Sequence, residues 1–178
     1  MESSDRAPRV IQQARLSDLV RQHHGDQVFG PIAAHLAAEG VSPSSFSRVL
    51  PPVSDEALTR YREVRPSYRS PESEVRWAST PDPDLFDRRV QALSEILSGT
   101  QLVLLLQEPD VGYLRCSGRD FVDFARALLE ADGNNVSAIA SDADEGLELD
   151  LIEEDGVRTY EAVIWGRAWP REVLVEEL

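Results

Sequence analysis

The run Gln101-Leu102-Val103-Leu104-Leu105-Leu106-Gln107 is the most hydrophobic stretch of the chain. It is far short of the roughly 20 apolar residues that cross a bilayer. It has the length of a β-strand buried on both faces, so the rest of the sequence is read as what surrounds it. Pro109-Asp110-Val111-Gly112 reads as a turn, with proline presetting φ and glycine tolerating a positive φ. Tyr113-Leu114-Arg115-Cys116 is then the returning strand. Upstream, Asp82-Pro83 is a helix start, an N-cap followed by a first-turn proline. Phe86, Val90, Leu93 and Leu97 hold one face of that helix, and Gly99 ends it.

Downstream, Ser117-Gly118 leads into a helix from about Arg119 to Ala131, with Phe121, Phe124, Leu128 and Leu129 inward. The cluster Asp132-Gly133-Asn134-Asn135 is a turn, and Val136 to Ala140 is a strand. Leu147, Leu149 and Leu151 alternate with Glu148 and Asp150, the period-two pattern of a half-exposed strand. Asp155-Gly156 is a hairpin signal, and Val157 to Trp165 is the partner strand. Helix, two strands, helix and three strands joined by hairpins predict a mostly antiparallel α+β fold, with about five strands packed with two helices.

The first 64 residues read as short helices. Leu16, Leu19, Val20 and His23 make an apolar stripe at helical spacing, with Gly25 as a C-terminal cap. Pro31 opens a second helix from Ile32 to Glu39, closed by Gly40. Ser42-Pro43 starts a third, to about Leu50, and Ser54 caps a fourth, to about Val64. Residues 36–50, Leu-Ala-Ala-Glu-Gly-Val-Ser-Pro-Ser-Ser-Phe-Ser-Arg-Val-Leu, resemble the core of bacterial helix-turn-helix repressors, in which a Gly-Val-Ser turn precedes the recognition helix. That resemblance implies a transcriptional regulator with an acidic sensor or dimerisation domain. It departs from the pattern at Glu39, where a buried apolar residue usually stands. Residues 65–81 are rich in turn formers and read as a linker or ordered loop, with Val75 and Trp77 as a short edge strand. The organisation expected is thus a helical N-terminal segment (1–64), a connection (65–81) and an acidic α+β domain (82–178), or one compact domain overall.

Charge is the main functional signal. Eighteen basic residues, all arginine, face 32 acids, for a net charge of −14. Residues 1–70 carry nine arginines and eight acids; the remainder carries nine and 24. Such asymmetry marks the second half as an interaction surface. Eight carboxylates, Asp142, Asp144, Glu145, Glu148, Asp150, Glu153, Glu154 and Asp155, fall within 14 residues. Glu161 and Trp165 on the partner strand extend the patch. Clustered carboxylates accelerate encounter with a basic protein and mimic phosphate spacing. Asp142, Asp144 and Glu153 also resemble a calcium loop, but Gly146 stands where a ligand is needed and Leu147 where the turn glycine belongs.

No catalytic signature accompanies these acids. His23, His24 and His35 form no zinc spacing and read as surface or helix-end residues. Cys116 reads as an inert, partly buried thiol, and one cysteine excludes an intrachain disulfide. The N-terminus lacks a signal-peptide pattern. The expectation is a cytoplasmic, non-enzymatic protein without cofactor or metal, a monomer or homodimer. It would bind and neutralise, or chaperone, a basic protein; the bacterial form is an immunity protein or inhibitor of a toxin or nuclease. Neither nucleic acid nor membrane is an expected partner.

Overall fold

A computed structural model describes residues 6–51, 53–64, 74–76, 79–141 and 145–165. In chain order the elements are α1 (Arg6–Ala38), β1 (Phe46–Val49), α2 (Val53–Val64), β2 (Glu74–Arg76), α3 (Pro83–Ala92), α4 (Ser94–Leu97), β3 (Gln101–Leu105), a 3-10 turn (Pro109–Val111), β4 (Tyr113–Ser117), α5 (Gly118–Ala131), β5 (Asn135–Ala140), β6 (Gly146–Glu154) and β7 (Val157–Trp165). The strands form one sheet in the order β1-β4-β3-β5-β6-β7-β2, with every neighbouring pair antiparallel. The fold is α+β, as the hydrophobic patterning predicts. Two of the seven strands, β1 and β2, are the short edge strands that raise the count above the expected five. No helix among the described residues is long and apolar enough to cross a membrane.

β3 lies at the heart of the sheet, paired to β4 and β5, and its alternation feeds two cores. Leu102 and Leu104 point to the face covered by α1, α3, α4 and α5, where Ile32, Leu36, Phe86, Val90, Leu97, Phe121, Phe124 and Leu128 are buried. Val103 and Leu105 point to the other face, where they meet Tyr113, Ile139 and Trp165 beneath Ala57, Leu58 and Tyr61 of α2. A strand with apolar side chains on both faces therefore needs helices on both sides, and the chain supplies them from its two halves.

Local signals account for most boundaries. Asp82 caps α3 by accepting from the Asp84 amide at 2.9 Å, and Ser117 caps α5 by accepting from the Asp120 amide at 3.0 Å. Gly40, at φ +82°, closes α1 with the paired bonds of a Schellman turn: Val41 N–H to the Leu36 carbonyl and Gly40 N–H to the Ala37 carbonyl. Asp155 and Gly156 both take positive φ at the β6–β7 hairpin, as a type I′ turn requires.

Three expectations for the N-terminal segment need correction. First, α1 is one helix of 33 residues, and neither Gly25 nor Pro31 breaks it. The clash of proline with its predecessor involves that residue's Cβ, which Gly30 lacks. Gly25 is a contact residue instead: a Cβ there would lie 2.0 Å from the Asp110 carbonyl oxygen. Second, the stripe Leu16, Leu19 and Val20 faces solvent; the buried side of α1 is Gly25, Ile32 and Leu36. Third, the expected third helix is the strand β1. Pairing with β4 and packing of Phe46 between Phe29 and Phe124 override the Ser-Pro start signal. The segment expected to be a recognition helix is thus an edge strand. Much of the 65–81 connection, Trp77 included, lies outside the described residues, as does Trp169. β2 confirms the edge strand around Val75, paired with β7.

In an exposed helix interior, glycine to alanine gains about 1 kcal/mol. At Gly25 the opposite is expected. Gly25→Ala should lower the denaturation midpoint, by about 1–3 kcal/mol of overpacking, because backbone on either α1 or the 3-10 turn must move. Urea unfolding of the variant beside wild type checks the sign.

Candidate functional site

The β6–β7 hairpin carries the acidic patch, and strand parity sorts its members. Side chains opposite each other in the register share a face, so Glu148, Asp150, Ile152 and Glu154 of β6 share one with Val163, Glu161, Thr159 and Val157 of β7. This is the α2 side of the sheet, since Trp165 and Ile139 in the same rows belong to the α2 core.

Along this face the environment changes from covered to open. At the covered end Trp165 is 3% exposed and its ring packs 6.3 Å from that of Tyr61. The indole also needs the bare backbone of Gly146, where a Cβ would lie 2.4 Å from it. Glu148 comes next and is 7% exposed. Its carboxylate accepts from the Tyr61 hydroxyl, which in turn accepts from Ser137 at 3.1 Å. Asp150 and Glu161 follow, half-buried and directly opposite one another. The Asn135 amide donates to Asp150. Beyond them Ile152 and Val157 are 38% and 55% exposed, and Glu153, Glu154 and Asp155 form the exposed tip, with Arg158 paired to Glu153 at 3.2 Å.

The structure therefore divides the sequence-predicted set. Asp150, Glu153, Glu154, Asp155 and Glu161 are gathered at the open end of the hairpin. Glu148 and Trp165 are corrected: both are buried under α2 and build the scaffold. Glu145 is half-buried before β6, and Asp142 and Asp144 lie outside the described residues. Tyr61 and Ser137, which hold Glu148, had no local signal in the sequence; Tyr61 and Glu148 are 87 positions apart.

The open end is a carboxylate-rich face with an apolar margin. Like charges directly opposite on neighbouring strands are destabilising, and Asp150 faces Glu161 in that way. Exposed Ile152 and Val157 lie on the same face and would pack on the aliphatic stems of arginine or lysine.

Two titratable groups elsewhere, Cys116 and Asp132, are buried. Cys116 is buried and its thiol is pushed up to about 12, first by desolvation and then by the Asp120 carboxylate. Such a thiol is inert at neutral pH. Asp132, at the C-terminal end of α5, is 4% exposed and accepts from the Gln107 amide at 2.8 Å. Burial pushes it up to about 7, partly offset by that hydrogen bond. No protein-family model and no curated protein matches the chain, so the functional reading rests on this geometry.

Asp132 gives a pH-dependent prediction. A carboxyl with a raised pKa binds more protons folded than unfolded, so stability falls as pH rises between the unfolded value of 3.8 and the folded value of about 7. Asp132→Asn keeps an acceptor for Gln107 and removes the ionisation. The variant should melt higher than wild type at pH 8, with the gap opening from about pH 4 to 7 and flat above. Thermal melts across that range measure it.

Proposed function

We propose that the protein is a non-enzymatic binder of a basic protein partner and engages it through the open end of the β6–β7 hairpin. The observation that carries this reading is the cross-strand pair of carboxylates Asp150 and Glu161, on a sheet face that also exposes Ile152 and Val157. A folded chain gains nothing by opposing two carboxylates there; a partner cation converts the repulsion into attraction. The exposed acids at the tip extend the field outward and steer a cationic partner before contact. An arginine or lysine would seat its charge between the two carboxylates and lay its stem on the isoleucine and valine. In a bacterial cytoplasm, such a protein is an immunity protein or inhibitor that occludes the basic cleft of a toxin or nuclease.

Capture on the immobilised protein from lysate of its native host, followed by salt elution, should release a basic protein. Stopped-flow association of that protein is then measured with wild type and with the double variant Asp150→Asn, Glu161→Gln. The variant should associate about tenfold more slowly at low salt and show a flatter salt dependence. Equal rates for the two proteins, or no basic protein in the eluate, would contradict the proposal.

A further inference from the structure

A second constellation lies where α1 crosses the 3-10 turn. His24 of α1 meets Glu108 and Asp110, which flank Pro109 at the start of that turn. One donor atom from each of the three lies within 4.8 Å of the others. His24 is exposed and the two carboxylates are half-buried, so the cluster opens to solvent.

The placement is held by backbone and not by the three side chains alone. Gly25, next to His24, lets α1 approach the Asp110 carbonyl more closely than any Cβ would allow. Arg48 donates through Nε to the Val111 carbonyl at 2.6 Å and fixes the far end of the turn. Glu108 caps the turn by accepting from the Asp110 amide at 3.3 Å. Asp110 accepts from Arg21 Nε at 2.9 Å through Oδ1. Each carboxylate uses one oxygen in these bonds, and each has two. Arg21 is shared: its other nitrogens reach Asp55 at 3.0 and 3.1 Å. With Arg48 and its partner Asp26 included, the neighbourhood sets four carboxylates, Asp26, Asp55, Glu108 and Asp110, against two guanidiniums. The surplus matches the charge of one divalent cation.

We propose that His24, Glu108 and Asp110 form a site for one divalent first-row transition ion of the zinc type. An imidazole ligand favours such ions over calcium or magnesium, which take oxygen donors almost alone. Metal–ligand bonds of about 2.0–2.2 Å would draw the three donors together around one ion, a contraction that takes side-chain rotation of both carboxylates as well as of the exposed His24 ring. Three protein ligands leave at least one coordination position to water. Glu108 also lines a groove of about 260 Å³ between Val28, Pro31 and Ile32 of α1 and Gln107, Ala131, Asp132 and Gly133. That groove gives a small ligand of the ion room beside it.

The test is calorimetric titration of the full chain with zinc chloride. Wild type should bind one ion. His24→Ala, a change at an exposed position, should weaken binding by about tenfold or more, since loss of even an outer-shell partner of a metal ligand costs that much. His23→Ala, which removes the adjacent exposed histidine that contacts Gln27, should leave it unchanged. Glu108→Gln should weaken it as His24→Ala does. Absence of binding by wild type would overturn the proposal. Equal binding by wild type and His24→Ala would also overturn it, since the ion would then be held by scattered surface carboxylates.

Discussion

The contact on which the structure most depends is the crossing of α1 over the 3-10 turn between β3 and β4. Gly25 lacks the Cβ that would meet the Asp110 carbonyl oxygen at 2.0 Å. Arg21 and Arg48 tie the turn from either side, one through the Asp110 carboxylate and one through the Val111 carbonyl. Arg48 also stacks on Phe29 at 4.7 Å and pairs with Asp26 at 2.7 Å, so the same residue joins α1, β1 and the turn. Gly112 completes the joint: at φ +89° it lies where a Cβ would meet the Val49 carbonyl oxygen at 2.1 Å. The joint sets α1 against the turn that leads into β4, the strand on which β1 pairs.

From that joint the sheet extends in two directions with different jobs. Toward β1 the helical layer covers one face, while Ser47 and Arg115, in the Val103 row of the other, are exposed. Toward the β6–β7 tip the α2 cover thins. The same period-two alternation then presents Glu148 to Tyr61, Asp150 and Glu161 to each other, and Glu154 to water. One strand thus passes from scaffold to surface in seven residues, and the chemistry of each acid follows from its position along that gradient and not from its being acidic.

Much of the C-terminal half was legible because its signals are local. The Asp82 and Ser117 caps, the Asp155-Gly156 turn and the leucine alternation of β6 each depend on neighbours in sequence. The N-terminal half was not, because its outcome rests on distant partners. Gly25 reads as a cap until Asp110 is placed against it. Ser42-Pro43 reads as a helix start until β4 offers a strand to pair with. Burial within the candidate site is non-local in the same way. Alternation correctly put Glu148 and Trp165 on the face away from the leucines, but that face is itself covered there by Tyr61, far off in sequence. His24 carries no spacing signal toward Glu108 and Asp110, since tertiary contact alone brings them together.

The central claim is that the open end of the β6–β7 hairpin, and not the acidity of the chain at large, is the binding surface. Amide chemical-shift mapping with a short oligo-arginine peptide tests it directly. The account predicts shifts concentrated at Asp150, Ile152, Val157, Thr159 and Glu161, with α3 and α5 unmoved although they too carry exposed acids. Shifts spread evenly over the acidic residues, or centred on another element, would contradict it.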